Sequence, residues 1–405
     1  MGVDRSRWRR AKAVATVLCA LAASVVSIPA HAAGPGGPCA LPRSQAHHSE
    51  GLDSWNPAYP RPLGRLDAVM IFLSFPGSRP ALTPARLAAD HFPATSRFFD
   101  RASYGRFTLR AHPVDHWIRM PRTAVSYRIR RDWDGEQRTD FLRDAVAAAR
   151  GSVDFGRYDL VYLVADPDAP GVDSDATKVV NLDTPLQVDG TALRRVVTVF
   201  ERHPPDRNVL AHETGHALDL PDLYHRPAEG KGDWDTHVGD WDLMGSQFGL
   251  ASEPFGWHKW KLGWLGPGNV DCVSSPGTSV HTLQSLETPM QPGGEQRTRL
   301  VVVRTGATSA VAIEARSAYG NDAATCSEGV LVYRVRSDTP SGAGPVQVLD
   351  GHPDRQACRG ESVYPPLADA PLGAGESLAS RTDGVRVRVG ARTAGGEWTV
   401  AVTRG

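Results

Sequence analysis

The ten residues from Leu66 to Phe75, Leu-Asp-Ala-Val-Met-Ile-Phe-Leu-Ser-Phe, are almost continuously apolar and constrain the fold more than any other segment. So short a run, without polar alternation, is expected to form a strand buried inside a sheet. Tyr158 to Val164 makes the same demand and is the clearest β signal in the chain. Helical patterning surrounds these runs, at 83–100 and 139–150. Strand and helix thus alternate up to about residue 265, which implies an α/β or α+β domain over 63–270. After Cys272 the character changes. Residues 298–304, 310–316, 329–336, 345–349, 384–390 and 397–403 are short Val-rich runs separated by Gly, Pro, Asn and Asp. They predict an antiparallel, sandwich-like β domain over 271–405.

The N-terminus reads as an export signal. Arg5, Arg7, Arg9, Arg10 and Lys12 precede an apolar run from Ala13 to Ile28, and Ala30-His31-Ala32 offers a small-residue cleavage site after residue 32. Residues 33–62, rich in Gly, Pro and Ser, suit a leader that wraps the surface better than a domain. Cleavage would remove five basic residues and one acidic residue, so the formal charge would move from 0 to −4. Neither value gives a reason to expect nucleic acid or a membrane surface as partner. A monomer acting on protein or peptide substrates is the expectation. The four cysteines after the signal, Cys39, Cys272, Cys326 and Cys358, form an even set without any CxxC element. In an oxidising compartment they are expected to pair, Cys326 with Cys358 and Cys39 with Cys272.

The chemistry concentrates in Val209-Leu210-Ala211-His212-Glu213-Thr214-Gly215-His216-Ala217-Leu218. Positions i and i+4 of a helix lie on one face, so His212 and His216 can reach a single ion from the same side. Zinc accepts imidazole nitrogens and leaves a position for water in catalytic sites. Glu213, next to the first histidine, is expected to act as general base toward that water. A third ligand must come from beyond the helix, which Leu220-Pro221 stops. Asp222 and His225 both follow, and either can ligate; the spacing favours Asp222. The loop from Asp166 to Asp175 is oxygen-rich enough to suggest calcium, although it lacks the EF-hand order. No G-x-S-x-G elbow is present.

Asp222 stands six positions after His216, which is the metzincin spacing H-E-x-x-H-x-x-G-x-x-H/D with Asp219 in the glycine position. Asp tolerates a left-handed turn better than most residues. The helix leads into Leu220-Pro221-Asp222-Leu223-Tyr224, then Gly239-Asp240-Trp241-Asp242-Leu243-Met244, then a tryptophan-ended segment from Pro254 to Trp264. In these elements the chain resembles peptidase family M6, the immune inhibitor A-like metalloproteases. Ser103-Tyr104-Gly105 and 329–335 resemble landmarks of the same family. The resemblance implies a secreted, metzincin-like zinc endopeptidase over 63–270, with His212, His216 and Asp222 as ligands, Glu213 catalytic and Met244 as the apolar floor under the metal. Two other readings stay open: a catalytically silent binding protein on the same scaffold, and a zinc hydrolase of a non-peptide amide or ester.

Overall fold

A computed structural model describes residues 37–227, 232–290 and 296–405. The expected signal peptide, residues 1–32, lies outside the described residues. The first sheet holds five strands, β1 (Gly64–Ser74), β2 (Phe107–Arg119), β3 (Leu160–Ala165), β4 (Lys178–Val188) and β5 (Thr191–Val199). Their order is β2-β1-β3-β5-β4. All neighbours run parallel except β4, which lies antiparallel to β5 at the edge. The helices are α1 (Pro84–His91), α2 (Ala94–Ala102), α3 (Ala124–Tyr127), α4 (Gly135–Ala149), α5 (Val209–Ala217) and α6 (Gly256–Lys261).

The apolar run in β1 follows from burial on both faces. Ala68, Met70 and Phe72 share a core with Leu87 of α1, Phe98 and Phe99 of α2, and Leu210 of α5. Val69, Ile71 and Leu73 share the opposite core with Phe141, Leu142 and Ala145 of α4. Each Val, Leu, Ile, Met or Phe among them contributes about 1.5–3 kcal/mol on full burial. The helix expected over 83–100 is two helices. Phe92 is extended (φ −117°) before Pro93, whose ring disfavours helical geometry in the residue ahead of it, so α1 ends there and α2 starts anew. α4 begins four residues earlier than its pattern predicts, because Asp134 caps it by accepting from the N–H groups of Glu136 and Gln137.

The C-terminal part forms two more sheets from β6 (Val270–Val273), β7 (Gly277–Leu283), β8 (Leu300–Arg304), β9 (Ser309–Arg316), β10 (Gly329–Arg336), β11 (Val346–Val348), β12 (Ser377–Ser380), β13 (Val385–Arg392) and β14 (Trp398–Arg404). Their orders are β11-β10-β9-β8-β6 and β12-β13-β14-β7. Val301, Ile313 and Val332 of the first share a core with Leu283, Val387 and Val400 of the second. The chain is therefore mixed α and β, with sheets predominant, and the other faces of β8, β9 and β10 join the main core through Leu300, Val302, Ala312 and Tyr333.

Residues Gly34–Gly405 make one compact unit. The leader enters the core where a surface wrap was expected: Cys39, Leu41, Ser49 and Glu50 are fully buried. Its carbonyl groups accept from the body, Glu50 from Trp257 Nε1 (3.0 Å), Ser49 from Lys261 Nζ (2.8 Å) and Pro62 from Trp264 Nε1 (2.9 Å). The cysteines stand at disulfide distance in the expected pairs, Cys39 with Cys272 and Cys326 with Cys358. Among the described residues no helix is long and apolar enough to cross a membrane.

Candidate metal centre

α5 is buried along its whole length. Tyr162 of β3 meets Thr214 there (Oη to Oγ1, 2.9 Å), and Gly215 lies against Met244, whose Sδ stands 2.5 Å from where a Cβ would be. A side chain at 215 would push out the methionine that floors the helix. The helix closes in a Schellman motif: the Leu220 N–H donates to the Gly215 carbonyl (3.1 Å) and the Asp219 N–H to that of His216 (3.1 Å), with Asp219 left-handed at φ 68°. That is the conformation glycine usually supplies. Here Asp is used because its carboxylate is a hub: it accepts from Arg43 Nη2 (2.7 Å) and meets His48 Nδ1 (3.0 Å), while its carbonyl accepts from Lys261 Nζ (2.6 Å). Burial pushes its pKa up, but Lys261, His48 and Arg43 outweigh burial and hold it at about 2.

The turn returns Asp222 to the two histidines. Its Oδ1 lies 3.3 Å from His212 Nε2 and 3.0 Å from His216 Nε2, and the two Nε2 atoms are 3.2 Å apart. One donor atom from each of the three residues lies within 4.8 Å of the others, and among the described residues no other such group of three occurs. The tautomers follow from the far sides of the rings. His212 Nδ1 meets the Leu243 carbonyl at 2.9 Å and His216 Nδ1 the Leu220 carbonyl at 2.8 Å. A carbonyl only accepts, so each Nδ1 carries the proton and each neutral ring turns its Nε2 lone pair inward.

Two lone pairs and a carboxylate oxygen then face one point, an arrangement that calls for a cation. Burial disfavours charge on His216, yet Asp222 and Glu213 lift its pKa to about 9; without another cation, a proton takes that place. Desolvation of the half-buried Asp222 raises its pKa, but the two histidines draw it well below the ordinary carboxylate range. The donor set therefore fits a divalent metal of the zinc type. Glu213 stands apart from the donors: its Oε2 accepts from the Val179 N–H of β4 at 2.6 Å, and burial raises its pKa.

Of the two candidates for third ligand, the fold brings Asp222 in and turns His225 away. The His225 N–H donates to the Trp234 carbonyl (2.9 Å), its ring packs on His237 (4.9 Å between centroids), and its backbone bridges Ala343. The carboxylates suggested for calcium do not converge. Asp166 accepts from Ser78 Oγ across the fold (2.8 Å) and from the Asp168 N–H (3.2 Å), and Asp173 from the Asp175 N–H (3.1 Å), the last two within turns.

Several contributors have no signal in the motif. Ser341, in the β10–β11 loop, accepts from the Asp222 N–H (2.9 Å) and donates to its Oδ2 (3.2 Å). Asn181 of β4 donates to the His216 carbonyl (3.2 Å). Beneath Met244, Asp242 accepts from the Met244 N–H (2.7 Å), the Phe255 N–H (2.7 Å) and His258 Nδ1 (2.7 Å), while His258 Nε2 reaches Glu50 Oε1 at 2.8 Å. This buried triad fixes the turn whose Leu243 carbonyl orients His212. Compared with known proteins, the chain matches no family model and no curated protein.

Proposed function

We propose that the chain is an exported zinc-dependent endopeptidase, hydrolysing peptide bonds of extracellular proteins as the resemblance to the immune inhibitor A-like peptidases implies. The observation that carries this reading is the convergence of His212 Nε2, His216 Nε2 and Asp222 Oδ1 on one point, with Glu213 next to His212 on the same buried helix. His212, His216 and Asp222 would hold the metal. When bound, zinc supplies a Lewis acid that polarises a scissile carbonyl and lowers the pKa of water.

The rest falls to the chain itself. Glu213, its pKa raised by burial, takes the proton of the attacking water and passes it to the departing amine. The bond from Val179 holds Oε2 in place and leaves Oε1 to carry that proton. β4 is an edge strand, so main-chain groups on its open side are available to an extended peptide laid alongside. Two cysteine pairs at disulfide distance are compatible with an oxidising compartment.

A casein zymogram of the zinc-loaded protein, with and without chelator, tests the reading. Clearing is expected only without chelator. Glu213→Gln should bind zinc normally and lose activity about 10²–10⁴-fold. Clearing that survives either treatment overturns the mechanism, and folded, zinc-loaded protein that cleaves no protein overturns the peptidase reading in favour of a silent scaffold or a non-peptide hydrolase.

A further inference from the structure

Beside the metal centre lies a group of cations that the reaction does not use. Lys178 opens β4 and immediately precedes Val179, whose N–H holds Glu213. Its Nζ donates to the Arg131 carbonyl at 3.4 Å. The Arg131 guanidinium lies over the Trp234 ring at 4.9 Å, and the Arg226 guanidinium over the same ring at 5.1 Å. Tyr224 stacks on Trp234 (5.4 Å, 30°) and stands two residues from Asp222. Contact thus runs from the metal donors through Tyr224 and Trp234 to two arginines, and from Glu213 through β4 to Lys178.

The charges are poorly compensated. Among the described residues Lys178 and Arg131 form no ion pair, and Arg226 has only Asp132 at 3.7 Å, itself highly exposed. Asp233 and Asp235 flank Trp234 without neutralising the group. Asp233 accepts from the Asp235 N–H within its own turn (3.0 Å), and burial with Asp233 and Asp240 nearby pushes the Asp235 carboxyl up to about 7. Both guanidinium groups lie over the Trp234 ring, and their N–H edges make no hydrogen bond among the described residues. Those edges are the part of arginine that grips a carboxylate with two parallel bonds.

We propose that Arg131 and Arg226 over Trp234, with Lys178 beside Arg131, form a substrate subsite for a carboxylate, so that the enzyme prefers peptides with Asp or Glu close to the scissile bond. This specificity rests on the peptidase reading above. Acidic peptides are also drawn toward this surface by the collective field of the three cations, an attraction that salt weakens.

The test uses the full chain loaded with zinc and fluorogenic peptides that differ only in having Glu, Gln or Lys at one position, scanned on both sides of the cleaved bond. Relative kcat/KM is read for cleavage. Affinity for the same peptides is read from tryptophan fluorescence in the Glu213→Gln protein. At one or more positions Glu should exceed Gln by about tenfold in both readouts, and the ratio should shrink with added salt. In the Arg131→Gln/Arg226→Gln double variant, whose altered side chains are exposed, the ratio should fall below about twofold. Ratios near one at every position in both readouts overturn the subsite, as does a preference that survives the double variant. If no peptide is cleaved, the peptidase reading fails and the binding ratio alone decides the subsite.

Discussion

Two buried groups of the same residue types sit on either side of the Met244 turn, and they do opposite things. In the His258 triad both ring nitrogens are taken by carboxylates, Nδ1 by Asp242 and Nε2 by Glu50, and all three residues are fully buried. In the candidate metal centre each ring spends Nδ1 on a backbone carbonyl, and both Nε2 atoms turn toward Asp222. The triad leaves no histidine lone pair unassigned, whereas the centre aims two of them at one carboxylate oxygen. What separates a scaffold from a metal site is therefore where the second nitrogen of each histidine goes. The groups are linked through Asp242, which holds the Met244 N–H, and the adjacent Leu243 carbonyl, which holds His212.

The largest expected effect breaks the open group. Asp222→Ala should weaken zinc binding by more than about 100-fold, because a ligand contributes at least as much as the outer groups that support it. His225→Ala should leave stoichiometry near one, since the fold points His225 at His237. Competition against a chromophoric chelator measures both, and metal loss in His225→Ala alone would reverse the assignment. The closed group breaks differently. Glu50→Ala leaves the Nε2–H of His258 without its partner, and removing one partner of a buried charge pair costs about 3–5 kcal/mol. Urea titration should show that loss with zinc present; a Glu50→Ala protein of unchanged stability would mean that the leader only decorates the body.

How much of the two groups is legible in sequence follows from the same distinction. His212, Glu213 and His216 are readable because four residues of helix bring them together, and Asp222 because a Schellman turn of fixed length does. Glu50 is 208 residues from His258 and Ser341 is 119 from Asp222. No periodicity links positions so far apart, and neither residue type marks itself. The strands divide in the same way. β1 and β3 declare themselves by burial on both faces, whereas β2, interrupted by Pro113 and half-exposed at the sheet edge, carries no continuous apolar run. The β4–β5 hairpin carries a readable Asp189-Gly190 turn, both residues at positive φ, but Lys178, Asp183, Arg194 and Arg195 break the apolar pattern around it.

A smaller effect sharpens the comparison by touching only the support of the open group. Ser341→Ala removes the hydroxyl that accepts from the Asp222 N–H and donates to its carboxylate. Loss of such an outer contact should weaken zinc binding about tenfold while leaving the His258 triad and the urea midpoint nearly unchanged. Equal affinity in Ser341→Ala and the parent would show that the β10–β11 loop does not orient the ligand.

The last expected effect is a slope in pH to which the closed group contributes through His258. Burial disfavours the charged form of His258, but Asp242 and Glu50 overcome it and raise the pKa from the ordinary 6.5 to about 10. The folded protein therefore holds a proton that the unfolded chain releases above its own, ordinary pKa. A group raised in this way stabilises fully below about 6.5, and its contribution declines as pH rises through the folded value, so Tm should fall between about pH 6.5 and 10. Zinc-loaded protein is the sample of choice, because the metal takes the place of the proton that would otherwise make His216 titrate in the same range. His352, between β11 and β12, is also raised: burial opposes charge there, while the Asp369 carbonyl and Glu376 favour it. Its slope persists in a His258→Gln variant and cancels in the difference between the two proteins. That variant cannot titrate at 258, so it should have a lower Tm at neutral pH and a flatter decline toward pH 10. Parallel curves for the two proteins would mean that His258 is neutral in the fold and that the triad is held by hydrogen bonds without a charge.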